Sequence, residues 1–302
     1  MNEHYPRVRI YGSHGAPILR EGITICFYMR HSHHEIARAV QRSLDVYLRA
    51  VGSQTLAWYA GQDDWQMLDT HGWDRLRHDL HEQSWPSFEL RDDPAGVHGF
   101  GVEYHGKWFE DPRGIQEPDM VSALGFSLPT EFLEALGPVA VRNLALELAA
   151  PLPFCSGHAG LSFHAMHGYP ETEEPLSQQC LRYPGMDVLS LRTLSWKLGT
   201  RVKGPAWLTF LGQPVLRELG GADGLRARLS SPSTTIQLLE EERAIVTLCT
   251  WPEAGDTRMG HHLPGYRELA RVLESHLYQS SGPWSPYFPR DVWQRWEHRF
   301  LD

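Results

Sequence analysis

The chain has 302 residues, of which 41% are hydrophobic and 22% charged. This composition supports a substantial buried core and excludes a disordered chain. The formal net charge of -9 repels phosphate backbones, so nucleic-acid binding is disfavoured and a basic protein is the better partner. The four cysteines form no CxxC pair, which argues against a disulfide framework and a zinc knuckle.

The sequence carries no targeting signal that we recognise. The first 22 residues lack the apolar segment of a signal peptide. No stretch approaches the roughly 20 apolar residues that a membrane-spanning helix needs. We therefore expect a cytoplasmic protein with no membrane partner.

The N-terminal part begins with a predicted strand, helix and strand. The apolar run 23–29 predicts a buried strand. Ser32 and Glu35 have the spacing of a capping box, and apolar residues at helical spacing follow up to Gly52. Residues 56–60 predict a second short strand.

The middle of the chain alternates between polar and apolar stretches. Residues 61–96 are polar and predict loops with one helix near 73–83. Strands are predicted at 100–104 and 121–128. Thr130 is expected to cap a short helix, and Gly137-Pro138 separates it from a second helix that ends before Pro151.

The C-terminal part predicts further strands and helices. Residues 168–190 lack a clear period and predict irregular structure. The remaining pattern predicts strands at 157–164 and 207–211, a short helix at 214–219, a hairpin formed by 235–239 and 244–249, a helix from Pro264 and an amphipathic turn at Trp293 and Trp296.

Strands and helices are interspersed without a regular β-α-β-α rhythm, which favours an α+β fold with mixed, mainly antiparallel sheet and several helices. The absence of a clear linker favours one domain over residues 1–302. Two subdomains, at about 1–165 and 166–302, remain an alternative, because the stretch 165–175 is rich in loop residues.

No motif in the sequence predicts catalysis. The 17 histidines make a metal-dependent hydrolase an alternative, but His31, His33 and His34 lack ligand spacing, and so do the other histidine groups. The stretch 156–160 is Gly-rich but is not a nucleophile elbow. We therefore expect no enzyme activity, no metal and no cofactor.

Acidic residues recur in predicted loops, and several lie beside tryptophan. A tryptophan next to charge in a loop has the composition of an interface hot spot, although solvated turns explain any single acidic run equally well. As candidate contacts with a basic partner we select six positions: Asp63, Asp64, Trp65, Trp108, Glu110 and Asp111.

The sequence resembles the type VI secretion immunity family over most of residues 20–280. The resemblance is carried, in order, by Tyr183-Pro184-Gly185-Met186-Asp187-Val188, Trp207-Leu208-Thr209-Phe210-Leu211-Gly212, Leu219-Gly220-Gly221, Pro252, Gly255-Asp256 and Tyr266. The segments 23–52 and 130–160 are also similar.

The resemblance implies a protein that binds an antibacterial type VI effector, including nuclease toxins, and neutralises it by occluding the active site. The expected partner is the cognate effector, and the chain itself is expected to be a monomer or a weak homo-oligomer. An intracellular adaptor or scaffold without a toxin partner is the further alternative, and the sequence does not separate it from an immunity protein.

Overall fold

The computed structural model describes residues 4–60, 64–95, 97, 99–112, 117–240, 242–283 and 285–302. In this part of the chain, one twelve-stranded sheet runs in the order β11-β12-β10-β8-β2-β7-β6-β5-β3-β4, with β1 beside β2 and β9 beside β8. The strands are β1 (Arg9–Tyr11), β2 (Pro17–Met29), β3 (Trp58–Ala60), β4 (Gln66–Met67), β5 (Ser87–Arg91), β6 (Gly101–His105), β7 (Ser122–Pro129), β8 (Ser156–Ala165), β9 (Asp187–Val188), β10 (Leu208–Leu211), β11 (Thr235–Leu239) and β12 (Arg243–Thr247).

The long strand β2 forms the centre of the sheet. It pairs antiparallel with β7 on one side, where Ile25 faces Phe126, and with β8 on the other, where Ile25 faces Ala159. The run Ile23–Met29 is fully buried, as expected for a strand covered on both faces. Only the short β9 pairs in parallel, so the sheet is mixed and mainly antiparallel.

Nine α-helices are described: α1 (His33–Val51), α2 (Thr70–Glu82), α3 (Thr130–Ala149), α4 (Pro170–Arg182), α5 (Leu191–Lys197), α6 (Val215–Glu218), α7 (Gly221–Arg226), α8 (Pro264–Leu273) and α9 (Arg290–Glu297). Helices α1 and α3 pack on one face of the sheet. Their contact includes a hydrogen bond from Ser43 Oγ to the carbonyl oxygen of Leu148, 2.9 Å long. None of the described helices is both long and apolar enough to cross a membrane.

The opposite face of the sheet is only partly covered. Leu191 and Leu194 of α5 pack on Cys26 and Ala123 from the middle of the sheet. The backbone N–H of Val121 donates to the carbonyl oxygen of Ser195 at 2.8 Å and so ties α5 to the start of β7. Beyond α5, the strands β5 and β6 present polar residues to an open space.

The observed elements confirm the predicted α+β class and most of its elements. The predicted strand and helix at 23–52 are present, and Ser32 N–H donates to the Glu35 carboxylate at 2.8 Å. A break in helix α3 at Gly137, where φ is 79°, agrees with the predicted division. Thr130 is not the helix cap: Pro129 takes that position, and the Thr130 hydroxyl donates to Glu21 instead.

The expectation that residues 168–190 are irregular is wrong. This stretch forms helix α4 and strand β9. Pro170 occupies the first turn, where its missing N–H costs nothing, and Glu171 and Glu173 lie in the same turn, where acidic side chains favour the helix N-terminus. The helix is held by tertiary contacts of Leu176 and Cys180, both fully buried.

Residues 61–96 are also more ordered than expected. Besides the predicted helix, which is α2, this region contains β4 and β5. Strand β5 escaped prediction because its five residues alternate between polar and apolar over too short a span to outweigh the polar surroundings. The division of the chain into one domain or two subdomains stays a prediction.

Candidate functional site

The open space beside α5 is a cleft of about 610 Å³. Its floor and walls are formed by side chains from six neighbouring strands, and its rims come from Trp65, the segment before α4, and α5. The lining residues used below are Trp65, Glu89, Arg91, Glu103, His105, His164, His167, Tyr169 and Arg192.

Strand alternation puts the charged residues of β5 and β6 on this floor. In β5, Phe88 and Leu90 are buried in the core, so the side chains between and beside them point to the opposite face. In β6, Val102 and Tyr104 are buried in the same way. Glu89 and Glu103 consequently both face the cleft.

The register of β5 and β6 places the two carboxylates side by side. Glu89 lies directly opposite Glu103, and like charges in this position destabilise a sheet. A basic side chain lies next to each carboxylate. Arg91 Nε donates to Glu89 Oε1 at 2.6 Å, and His105 Nε2 lies 2.7 Å from Glu103 Oε1. The pKa of Glu89 is raised to about 7, because burial and, to a lesser extent, the Glu103 charge outweigh the opposing effect of Arg91.

Two aromatic side chains stand at the rims of the cleft. Trp65 is half-buried, and its ring lies 4.5 Å from the guanidinium carbon of Arg91. Tyr169 is 54% exposed. Arg192, on α5, is exposed at the remaining rim. Large aromatic and arginine side chains are the residue types that dominate binding energy in protein interfaces.

The inner wall of the cleft is a hydrogen-bonded polar network. The Thr24 hydroxyl lies 2.6 Å from the Ser162 hydroxyl and 3.3 Å from His164 Nε2. Glu173 is fully buried, accepts a 3.0 Å hydrogen bond from the backbone N–H of Gly168 and lies 3.4 Å from His167 Nδ1. These contacts hold the wall in place, since buried polar groups are costly to leave unpaired.

A buried lysine fixes α5 next to the cleft. Lys107 is 3% exposed, and its ammonium lies 3.6 Å from the ring centre of Trp196 on α5 and 6.0 Å from that of Trp85. The two indoles are stacked at 5.6 Å. Burial, together with the charge of the nearby Arg192, lowers the pKa of Lys107 to about 7.

A second charged cluster lies deeper, around Asp187 of β9. The Asp187 carboxylate contacts Lys203, lies 3.3 Å from His158 Nε2 and 3.8 Å from Arg299 NH2. Arg299 also lies over the Trp296 ring at 3.9 Å. Burial alone would raise the pKa of Asp187, but Lys203, His158 and Arg299 outweigh it and hold the pKa well below its usual range.

The selected loop residues divide into two groups. Asp63 lies outside the described residues. Asp64 is exposed, and Trp65 lines the cleft. Trp108 is half-buried and Glu110 exposed, whereas Asp111 is only 7% exposed.

The two groups lie at opposite ends of β5 and β6. Trp65 packs on Arg91, whereas the segment with Trp108 leaves β6 after His105, which pairs with Ser87. Four residues of strand separate these ends, or about 13 Å. The structure therefore does not bring the five described positions together.

Glu110 is tied to the start of α1. The Ser32 hydroxyl donates to Glu110 at 2.6 Å and accepts from the backbone N–H of Phe109 at 2.9 Å. The hydrogen bond from Ser32 lowers the pKa of Glu110. Its carboxylate therefore has a role in the local structure besides any role at a surface.

Sequence reasoning missed Glu89, Glu103 and Tyr169. The alternation in Ser87-Phe88-Glu89-Leu90-Arg91 and Gly101-Val102-Glu103-Tyr104-His105 is the signal that places both glutamates on one face. Which face stays open depends on α4, whose region was predicted as irregular, and on α5, for which no element was predicted.

The histidines give no support to a metal site. Among the described residues, no group of three or more His, Cys, Asp or Glu side chains is arranged to hold a metal ion. His33 is buried between the Tyr104 hydroxyl, 2.8 Å from Nδ1, and the Leu80 carbonyl oxygen, 2.6 Å from Nε2. Burial lowers the pKa of His33 to about 4, so its neutral form is a core hydrogen-bonding residue.

Comparison with solved structures identifies a shared fold. The chain is similar to "Pseudomonas aeruginosa T6SS protein PA0821", with a TM-score of 0.79 and 20% sequence identity over 97% of this chain and 87% of that one. At this identity the likeness establishes the fold alone, a fold found in a protein of the type VI secretion system. No curated protein matches the chain at a significant level.

The family is established by the sequence itself. A model of the TsiV family, described as type VI immunity for VRR-NUC, matches residues 39–300. The chain belongs to this family of immunity proteins for nuclease effectors. The match confirms the resemblance seen in the sequence, does not favour the hydrolase and scaffold alternatives, and implies a non-enzymatic role.

Proposed function

We propose that this chain binds one cognate VRR-NUC effector and neutralises it by occluding the nuclease active site. The observation that carries the proposal is the family match over residues 39–300. The net charge of -9 supports it, because a nuclease presents positive charge where it holds nucleic acid. We place the chain in the cytoplasm, where nucleic acid is exposed to such a toxin.

The test uses the purified chain and the cognate nuclease. An equimolar amount of the chain is expected to stop DNA cleavage, and the complex is expected to have one-to-one stoichiometry with an interface of at least about 1,200 Å². A catalytically inactive effector is expected to lose DNA binding when the chain is bound, because occlusion and DNA compete for one surface. Undiminished cleavage in an equimolar mixture would contradict the proposal.

The acidic and aromatic loop positions remain candidate contacts. Alanine at Asp64, Trp65, Trp108, Glu110 or Asp111, and at Asp63 outside the described residues, is expected to weaken binding where the residue is central to the interface. Titration calorimetry of each variant against the effector measures this directly. Unchanged affinity in all six variants would place the interface elsewhere.

A further inference from the structure

The cleft over β5 and β6 combines features that a merely solvated sheet face does not need. It is concave, at about 610 Å³, whereas the groove between α1 and α2 measures about 250 Å³. Two aromatic side chains, Trp65 and Tyr169, stand at separate rims. An exposed aromatic rim costs solubility and gains nothing for the core, which is the usual mark of a docking surface.

The charges on the floor are incompletely balanced within the chain. Glu89 and Glu103 lie opposite each other, and Arg91 is already engaged by Glu89 and by the face of Trp65. Arg192 lies at the rim. Burial is the first cause of the raised pKa of Glu89, and the Glu103 charge adds to it, while Arg91 and the charge of Arg192 lower it. A cation from outside, placed between the two carboxylates, would relieve this repulsion.

The chemistry of the expected partner suits a cleft in which two carboxylates face each other. A nuclease must carry Lys or Arg on the surface that binds DNA, and a guanidinium can contact two carboxylates at once. The flanking aromatic rings also favour a cation, because the face of an aromatic ring attracts it. The cleft is therefore suited to a basic side chain on a protruding segment of the partner.

We propose that the cleft bounded by Trp65, Tyr169 and α5 is the surface on which the nuclease effector docks, with an Arg or Lys side chain of the effector seated between Glu89 and Glu103. This inference rests on the proposed function. It adds which face of the chain carries the interface and which side chains select the partner.

The first experiment measures the dissociation constant for the cognate nuclease with matched pairs of variants. Tyr169→Ala is compared with Tyr287→Ala, since both tyrosines are 54% exposed. Glu103→Gln is compared with Glu218→Gln, since both carboxylates lie beside a histidine, His105 at 2.7 Å and His276 at 3.4 Å. The cleft variants are expected to weaken binding by about tenfold or more, and the controls by less than about twofold.

A second measurement needs no variant. Hydrogen–deuterium exchange of the chain, alone and with the nuclease bound, is expected to show new protection in the segment before β4, in residues 166–170 and in α5. Thermal melts of each variant verify that the fold is intact. If a variant unfolds, the exchange measurement on the wild-type chain tests the docking surface instead.

The outcomes separate this inference from the proposed function. If the wild-type chain fails to inhibit the nuclease, the proposed function is wrong. The docking surface is wrong and the function stands if the wild-type chain inhibits but both cleft variants bind like their controls. The same conclusion follows if protection appears only around Trp108 and Glu110, or only between two copies of this chain.

Discussion

Asp187 and Glu89 are two partly or fully buried carboxylates of the same sheet, and their surroundings shift the two pKa values in opposite directions. Asp187 is surrounded by Lys203, His158 and Arg299, and its pKa is held well below the usual range. Glu89 lies opposite another carboxylate, and its pKa is raised to about 7. In the first arrangement the cations of the chain outweigh the burial of the carboxylate, whereas in the second Arg91 and Arg192 offset burial and the Glu103 charge only in part. Carboxylates that stabilise a fold and carboxylates that await a partner are thus distinguished by their neighbours.

The largest expected effect comes from breaking the complete cluster. Asp187→Asn removes the buried carboxylate that Lys203 and Arg299 both approach and leaves them only the charge of Glu297. Breaking a buried pair in this way costs about 3 to 5 kcal/mol. The free energy of unfolding from urea titrations at pH 7 measures it. The control is Asp119→Asn, because its ion pair with Arg201 is 50% and 39% exposed on the two sides, and an exposed pair contributes at most about 1 kcal/mol. Equal effects of the two substitutions would contradict the comparison.

An intermediate effect is expected at Lys107, the buried cation beside the cleft. Its pKa of about 7 lies below the usual value, so the unfolded chain binds more protons between about pH 7 and 10, and stability contributed by this group rises with pH over that window. Lys107→Met keeps the apolar stem between the indoles and removes the titration. The difference in unfolding free energy between pH 7 and pH 9.5 is expected to fall by about 2 kcal/mol in the variant.

The prediction at Lys107 has a direct control. Lys197→Met removes a lysine that is 54% exposed and paired with Glu117. Its unfolding free energy is expected to keep the wild-type dependence on pH over the same window. A Lys107→Met variant with an unaltered profile would show that Lys107 remains protonated in the folded protein up to its normal range.

The smallest expected effect concerns Glu89 and its contribution to the free energy of unfolding. Because the folded pKa of Glu89 is raised to about 7, the folded state holds its proton more tightly, so this group contributes stability at pH 5 that is lost as the pH rises to 7. Glu89→Gln removes the charge and retains an acceptor for Arg91. At pH 8 the variant is expected to be about 1 kcal/mol more stable than the wild type, and at pH 5 nearly equal to it.

Urea unfolding at pH 5 and pH 8 measures the effect at Glu89, with Glu117→Gln as the control for an exposed carboxylate that is paired with Lys197. The same Glu89→Gln variant is expected to bind the nuclease more weakly. Gain of stability together with loss of affinity would identify Glu89 as a residue kept for binding. A variant that loses stability at pH 8 would show instead that the Glu89–Arg91 pair supports the fold.

Much of the fold follows from patterns that the sequence displays over long spans. The helix predicted after Ser32 and the strand at 23–29 were foreseeable because seven or more residues share one period. The strand at 101–105 and the hairpin of β11 and β12 are shorter, and they were foreseeable from compact apolar runs. Helix α4 was not, because Pro170, Pro175 and three glutamates resemble a loop in sequence, and burial of Leu176 and Cys180 stabilises the helix.

The site was less predictable than the fold. Trp65 was selected from the sequence and lines the cleft, but its place over Arg91 depends on pairing between β3 and β5, a contact that connects distant parts of the chain. Asp111 was selected as an exposed acid and lies buried. Ser32 is the helix cap that the sequence predicts, but its hydroxyl also donates to Glu110, a contact that the sequence does not reveal. Each of these differences arises from a tertiary contact that local residue patterns do not encode.

The floor of the cleft belongs to the hydrogen-bonded ladder that continues through β7 to the buried strand β2. Glu89 and Glu103 are therefore presented on a rigid support, with backbone positions fixed before any partner arrives. Little conformational freedom remains to be lost on association, and a rigid contact surface favours long-lived complexes over fast exchange. A protein that must keep a toxin silent for the lifetime of its cell benefits from slow release.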